Sequence, residues 1–417
     1  MALQAPEGTK DLLPDEAKFW AHFKATAADM FGRYGYVTIE TPVFEQTELF
    51  VRGIGEATDV VSKEMFTAIS GENLNKLLGG GTIKGKSRLS LRPEGTAGVV
   101  RAVVQHDLVP QGAAPAKLMY AGPMFRAERP QKGRLREFVQ CDIDILGDAS
   151  PNAEVELIDV TTRALLNIGF TGFTVNINDR RILRGMLESM GFASDTLDSV
   201  CITFDKMDKI GAEGVKAELT EKQLPEAAIN ALADFIAAGD VTLDAVAARC
   251  ADPAIADDLK YVLATANTLA AGRYQVAYCP SLVRGQGYYT GMVFEVTCPQ
   301  FSGAVAGGGR YDNMVGKFLG VQVPAVGFSI GFERVCGILL EQGYQIPGAK
   351  QKIALLYGKD TDFPAVLSKA AALREQYNVT VLPQGKKLGK QLGQLEAAGF
   401  VGAAFMDKDE IKIFAQQ

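Results

Sequence analysis

Residues 120–145 read YAGPMFRAERPQKGRLREFVQCDIDI, and this stretch decides how the chain folds around its chemistry. Two alternating apolar runs flank Pro130-Gln131-Lys132-Gly133, which predicts an antiparallel hairpin. Arg126, Arg129, Arg134 and Arg136, with Lys132 and against only Glu128, make a compact cationic tongue. Such a tongue suits a polyphosphate or a nucleic-acid backbone. On the second strand Val139, Cys141, Ile143 and Ile145 point one way while Gln140, Asp142 and Asp144 point the other, because side chains alternate along a strand. One sheet surface then carries guanidinium groups at one end and acids and amides at the other. That pattern complements ATP together with an amine-bearing substrate.

At 417 residues the chain is too long for one core, so two or three domains are expected. Apolar runs fall far short of a membrane span, and MALQAPEGTKDLLPDE lacks a basic region followed by an apolar one. The expectation is a cytoplasmic protein with no membrane contact. The cysteines at 141, 201, 250, 279, 298 and 336 contain no CxxC pair, which argues for reduced packing residues over structural zinc or disulfides. Net charge is -6, so any nucleic-acid contact must come from local basic patches. With only two histidines, a His-ligated metal is not expected, and no metal site is assigned. His22 falls on the polar stripe of the first helix, Lys18, His22, Thr26, Asp29 and Arg33, and His106 closes a helix beginning near Thr96.

That first helix is expected from about Asp15 to Arg33, followed by the strand YVTIETP ending at Pro42. Residues 71–87 read as a polar, glycine-rich loop between strands. Within it GGTIKGKS, Gly80 to Ser87, matches the GxxxxGK[ST] phosphate-loop pattern. Its flanks are wrong, since a phosphate loop needs a buried strand before it and a helix after it, and here RLSLRPEG follows as a strand. LRPEGTAGVVRAVVQH then turns from strand to helix with Thr96 as N-cap. Residues 184–272 shift to alanine-rich amphipathic helices, an inserted helical domain. The cluster Gly307-Gly308-Gly309 marks a place where backbone must approach something closely. From about 350 the alternation of KIALLY, FPAVLSKAAALREQ, VTVLP, KLGKQLGQLEAAG and VGAAFM predicts a small α/β domain with parallel pairing.

These residues resemble the histidyl-tRNA synthetases, a family of class II aminoacyl-tRNA synthetases, over nearly the full chain. GPMFRAERPQKGRLREF is similar to motif 2 and AVGFSIGFERV to motif 3, while LRPEGTAGVVRA, LVRGQGYYTGMVFE and GGGRYDNMVGKF resemble blocks specific to the histidine enzymes. The resemblance implies an α+β fold: an antiparallel sheet flanked by helices, in parts 1–183 and 273–345, with the helical insertion 184–272 and a C-terminal anticodon-binding-like α/β domain, 350–417. It implies a homodimer through the first helix and its strand, which match motif 1. It also implies adenylation of L-histidine by ATP with Mg2+, then transfer to the 3′ end of tRNA(His).

By the same resemblance Arg126 and Arg284 are the catalytic α-phosphate arginines, and Arg134 and Arg334 hold the terminal phosphates. Glu94, Gly95, Thr96, Gln140 and Asp144 hold the amino-acid end, and Tyr288, Tyr289 and Tyr311 surround the imidazole. Arg129 and Gln131 approach the acceptor end of the tRNA, and Lys386, Lys387 and Lys390 form the anticodon-domain basic patch. The bottom-up chemistry agrees, since attack on a phosphate builds negative charge that fixed guanidinium groups stabilise. Gly287 stands where many bacterial members carry the carboxylate of GLDYYTG. Ala127 and Val139 replace histidines common in that subgroup, and the C-terminal domain ends early, at EIKIFAQQ. Two catalytically silent alternatives share the fold: the regulatory subunit of ATP phosphoribosyltransferase, and a pseudo-synthetase that senses histidine or tRNA. Taken residue by residue, Arg334 has Glu333 and Asp312 as alternative ion-pair partners.

Overall fold

The hairpin at 120–145 supplies the second and third strands of an eight-stranded sheet. The computed structural model describes residues 3–55, 58–82, 88–108, 114–239, 241–250, 252–283 and 288–414. These divide into two units, Met1–Tyr344 and Gln345–Gln417.

In the first unit, helix α1 (Pro14–Arg33) starts at a proline that has no N–H to leave unpaired, with Asp15 and Glu16 at the positive end of the helix dipole. Its buried stripe is Phe19, Trp20, Phe23, Ala27, Met30 and Phe31, and the half-buried His22 lies off it. Only Val37–Thr38 of the segment YVTIETP forms a strand, β1. Next come β2 (Phe44–Gln46), α2 (Thr47–Ile54), α3 (Asp59–Ser62), β3 (Thr67–Ala68), α4 (Gly71–Leu78) and β4 (Leu89–Leu91), the strands making a small antiparallel sheet in the order β2-β4-β3.

Helix α4 corrects the expectation of a loop over 71–87. Ser70 caps it by accepting a hydrogen bond from the Asn73 amide, and Gly79 ends it. None of its residues is buried, so no apolar periodicity announced it. Of the phosphate-loop look-alike, residues 83–87 lie outside the described residues. The described flank after it is β4, a strand.

Helix α5 (Thr96–Gln105) carries a second correction. Gly95 occupies the N-cap position without a side-chain cap, and Thr96 is already helical. The cap comes from one residue further back, since the Glu94 carboxylate accepts from the Thr96 and Ala97 amides, each at 2.9 Å. His106 is the C-cap residue of this helix.

The hairpin strands are β5 (Ala116–Phe125) and β6 (Glu137–Leu146), paired antiparallel from Ala116↔Leu146 to Phe125↔Glu137. The connection is longer than Pro130–Gly133: strand pairing stops at Phe125 and Glu137, and the loop between is pinched at its tip by an isolated bridge between Gln131 and Arg134. Helix α6 (Asn152–Asn167) and β7 (Thr174–Asp179) follow. Helices α7 (Arg180–Ser189), α8 (Leu197–Phe204), α9 (Met207–Glu221), α10 (Glu226–Ala237), α11 (Leu243–Ala247) and α12 (Pro253–Ala270) occupy the alanine-rich stretch and belong to the first unit. The chain returns through β8 (Gln275–Tyr278), β9 (Met292–Cys298), β10 (Phe301–Arg310), α13 (Asn313–Leu319), β11 (Ala325–Gly331) and α14 (Phe332–Glu341).

The large sheet runs β1-β5-β6-β11-β10-β9-β7-β8. It is antiparallel throughout except at the edges, where β1 joins β5 and β8 joins β7 in parallel. All six cysteines are free, four of them buried. No described helix is long and apolar enough to cross a membrane.

In the second unit, β12 (Lys352–Tyr357), α15 (Phe363–Arg374), β13 (Asn378–Pro383), α16 (Leu388–Ala397), β14 (Gly402–Phe405) and β15 (Lys412–Ile413) form a sheet in the order β13-β12-β14-β15. The first two pairings are parallel, and β15 adds antiparallel. Its core gathers Leu356, Leu392, Leu395, Phe400 and Phe405 on one face and Leu355, Val366 and Ala370 on the other.

Candidate active site

Alternation along β6 builds the floor of a cavity of about 320 Å³ in the first unit. Gln140, Asp142 and Asp144 line it, while Cys141, Ile143 and Ile145 are buried against the opposite side. Across the register from them on β11 stand Gly331, Ser329 and Gly327. Bare neighbours are required here. A Cβ on Gly327 would meet Asp144 Oδ1 at 2.1 Å, and one on Gly308 would meet the Gly327 carbonyl oxygen at 2.0 Å. Gly327 of β11 therefore makes room for Asp144, while the bare Gly308 of β10 lets that strand lie close against the β11 backbone.

At one end the cavity is acidic and almost dry. Glu94, Asp142 and Asp144 are 3%, 4% and 2% exposed, so each carboxylate has lost its water. Burial pushes Asp142 up to about 7 and Asp144 up to about 8, and raises Glu94 as well. Hydroxyl donors hold the pair: Tyr120 donates to Asp142 Oδ2 and Tyr311 to Asp144 Oδ1, both at 2.5 Å. Asp142 Oδ1, Asp144 Oδ2 and Gln140 Oε1 take no hydrogen bond from any described residue. Three tyrosines frame this end, Tyr288 lying 4.8 Å from Tyr289 and meeting Tyr311 edge-on at 6.1 Å. Gly95 is bare because a Cβ there would sit 1.9 Å from the Tyr120 ring.

The other end is cationic. Arg126 donates from Nε to the Pro93 carbonyl at 2.8 Å and lies over Phe138 at 5.2 Å, and burial holds its guanidinium below the ordinary range. Arg134 pairs with Glu128, which also faces Arg126 at 3.8 Å. Arg334 at the start of α14 donates to the Gly133 carbonyl at 3.0 Å and the Ala304 carbonyl at 2.5 Å, with its guanidinium 5.2 Å from the Phe301 ring centre. Both alternative partners of Arg334 are engaged elsewhere: Glu333 accepts from the Val139 amide at 2.6 Å, and Asp312 from Arg310 and the Ala325 amide.

Of the residues singled out in the sequence, Glu94, Thr96, Arg126, Arg134, Gln140, Asp144, Tyr288, Tyr289, Tyr311 and Arg334 line this one cavity. Gly95 shapes it from beneath Tyr120. Arg284 and Gly287 lie outside the described residues. Arg129 and Gln131 are exposed on the hairpin tip, beyond the cavity lining. Lys386, Lys387 and Lys390 are exposed at the N-terminal end of α16 in the second unit. The cationic tongue is divided: Arg136 turns to the N-terminal segment, donating to the Glu128 and Glu7 carbonyls at 3.1 and 3.3 Å.

Asp142, Ser329, Phe138 and Glu333 also line the cavity and were not among the site candidates. Asp142 was signalled by its place between Gln140 and Asp144. Ser329 had no signal, because only the register of β11 against β6 brings it in, and Glu333 enters from the first turn of α14, where its carboxylate accepts from the Val139 amide of β6. Among the described residues no three His, Cys, Asp or Glu side chains are arranged to hold a metal ion.

Comparison with known proteins adds independent findings. The family model for histidyl-tRNA synthetase matches residues 8–335. A histidine–tRNA ligase of Leifsonia xyli subsp. xyli is 37% identical over 422 residues, covering 97% of this chain and 95% of the relative. One from a Picosynechococcus species is 34% identical, covering 98% and 90%. The structure of a Nostoc histidyl-tRNA synthetase matches with a TM-score of 0.77 at 22% identity, over 97% of this chain and 91% of that one. A Bacillus halodurans structure described as an ATP phosphoribosyltransferase regulatory subunit/histidyl-tRNA synthetase matches at 0.76 and 19% identity, over 97% and 98%. At such identities the two structures speak to the fold alone.

Proposed function

The chain belongs to the histidyl-tRNA synthetase family, and from that premise we propose that it is a histidine–tRNA ligase acting through the cavity built on β6. The supporting observation is one cavity that joins three dry carboxyl groups to Arg126, Arg134 and Arg334. An amino acid and ATP need those two ends, with the carboxylate of one meeting the α-phosphate of the other between them.

In the first step a carboxylate oxygen of histidine attacks the α-phosphorus of ATP. The new O–P bond forms as the bond to the β-phosphate oxygen breaks, and pyrophosphate leaves. Charge grows on the equatorial oxygens, and Arg126 with Arg284 is assigned to meet it. Each fixed donor of this kind is worth on the order of 100-fold in rate. Arg334 and Arg134 take the terminal phosphates, and Mg2+ enters as the counterion of ATP, a part of the substrate. Arg334 also ties the Gly133 carbonyl to the Ala304 carbonyl, so the motif 2 loop is held to β10 while phosphate is bound.

Glu94, Gly95, Thr96, Gln140 and Asp144 are assigned to the amino-acid end, and Tyr288, Tyr289 and Tyr311 to the imidazole, which tyrosines both pack against and hydrogen-bond. In the second step a ribose hydroxyl at the 3′ end of tRNA(His) attacks the mixed anhydride, the acyl–phosphate bond breaks, and AMP leaves. Arg129 and Gln131, exposed on the hairpin tip, are assigned to that acceptor end, and Lys386, Lys387 and Lys390 to the anticodon stem. The working form is a homodimer in the cytoplasm. Charging of tRNA(His) with labelled histidine tests this reading: acid-stable but base-labile label on the tRNA is expected, and no charging under saturating ATP contradicts it.

A further inference from the structure

The turn between β9 and β10 brings one aromatic ring to the cationic end of the cavity. Cys298 pairs with Phe301 across Pro299 and Gln300, and the register then shifts between Phe301 and Ala306. Such an irregularity bends a strand tip. At this tip the Phe301 ring lies among residues of three separate segments. A Cβ on Gly133 of the motif 2 loop would stand 2.7 Å from the ring, and one on Gly303 would stand 3.0 Å from it. The third neighbour is Arg334, whose guanidinium lies 5.2 Å from the ring centre. Glycine at 133 is required twice over, since its φ of +71° would also strain any side chain.

Three contacts hold Arg334. Its Nε donates to the Gly133 carbonyl at 3.0 Å, an Nη donates to the Ala304 carbonyl at 2.5 Å, and the ring covers its face. Carbonyls and a ring carry no net charge, so these contacts orient the guanidinium without neutralising it. A carboxylate would orient it too, but would offset the charge that a phosphate needs, as Glu128 does for Arg134. The ring attracts the cation through its quadrupole, and more strongly where water is kept away. Phe301 itself is half-buried and absent from the cavity lining, so it acts on a ligand only through the groups it holds.

We infer that Phe301 is a positioning residue for ATP: its ring sets the plane of Arg334 and seats Gly133 of the motif 2 loop against it, so that the terminal phosphates meet a guanidinium already in place. This rests on the reading of the cationic end as an ATP site with Arg334 at the terminal phosphates. An arginine left to swing would have to be ordered by the nucleotide, and affinity would fall by that cost.

The test compares two nucleotides. AMP keeps the adenine, ribose and α-phosphate of ATP and lacks the terminal phosphates. Binding of each, ATP with magnesium, is measured by calorimetry on the full chain and on Phe301→Leu, which keeps apolar bulk and removes the ring face. ATP affinity is expected to fall by about 3- to 10-fold, the worth of a cation–π contact at a partly buried site, while AMP affinity stays within about 2-fold. Phe301→Tyr restores the face and is expected to restore ATP binding. In an Arg334→Ala background Phe301→Leu is expected to add no further loss, because a residue that acts through another has nothing left to act on. In pyrophosphate exchange KM for ATP is expected to rise while KM for histidine stays within about 2-fold.

Unchanged ATP affinity in Phe301→Leu, an equal loss for AMP, or a loss that persists without Arg334 overturns the assignment. Phe301→Met also fills the space without a ring, and decides the matter if Phe301→Leu does not fold. Wild-type protein that binds neither nucleotide defeats the reading of the cationic end and the inference with it, an outcome distinct from a variant effect.

Discussion

Tyr311, just past the end of β10, donates its hydroxyl hydrogen to Asp144 on β6 at 2.5 Å, joining residues 167 positions apart in the chain. The bond crosses the site floor and ties the proposed imidazole pocket, through Tyr311, to the proposed amino-acid end, through Asp144. Tyr311→Phe keeps the ring and removes this donor, so Asp144 ionises less readily. Histidine KM is expected to rise by about 10-fold, with a stability loss of about 1 kcal/mol, read from exchange kinetics and urea unfolding.

The same floor makes stability depend on pH. Asp142 and Asp144 are raised from an ordinary 3.8 to about 7 and about 8. The folded protein therefore holds protons that the unfolded chain has released. Their contribution is complete below about pH 4 and disappears as pH rises through about 8. The ligand-free Tm of the first unit is expected to fall across that window, and the slope to flatten in the Asp142→Asn/Asp144→Asn double variant. A Tm rising over the same range contradicts the burial of these groups.

Gly327 lies opposite Asp144 in the register, where a methyl group would sit 2.1 Å from Oδ1. Gly327→Ala is expected to displace the carboxylate, raising histidine KM by at least about 10-fold and costing about 1–3 kcal/mol of stability. Steady-state exchange together with thermal melting measures both effects.

Arg310 and Glu154 form a buried ion pair, 6% and 1% exposed, at 2.6 Å, with further bonds from Arg310 to the Asp148 and Ser150 carbonyls. Arg310→Ala leaves a charge buried without its partner, and a loss of about 3–5 kcal/mol is expected. Arg310 is absent from the cavity lining, so the folded fraction of the variant is expected to bind ATP with near-normal affinity.

Arg334 is different in kind, since it grips two carbonyls and lines the cavity. Arg334→Lys keeps charge without the planar fork, so it is expected to restore little of the roughly 100-fold loss in exchange expected for Arg334→Ala.

The elements legible in the sequence were those with local periodicity. The stripe of α1, the alternation of β6 and the β/α rhythm after residue 350 each repeat within a dozen residues. Helix α4 escaped because it buries nothing, so its only signal was Ser70 before Glu72 and Asn73. The cap at α5 was misplaced by one residue, because a glutamate folding back over its own glycine competes with a threonine that looks like the better cap. The site was legible where one strand carried it, as with Gln140 and Asp144. Ser329 enters only through the pairing of β11 with β6, Glu333 through the contact of α14 with the Val139 amide, and the Arg136 amide bonds to the Gly8 carbonyl at 2.8 Å. Those relationships span the chain and leave no local trace.

The most direct measurement is ATP–pyrophosphate exchange by the full chain with each proteinogenic amino acid in turn. The account expects exchange that depends on histidine alone and falls by about 100-fold or more in Arg126→Ala. Exchange driven by a different amino acid, or none with any while ATP and histidine still bind, would contradict histidine adenylation and favour a silent histidine-binding module on the same fold.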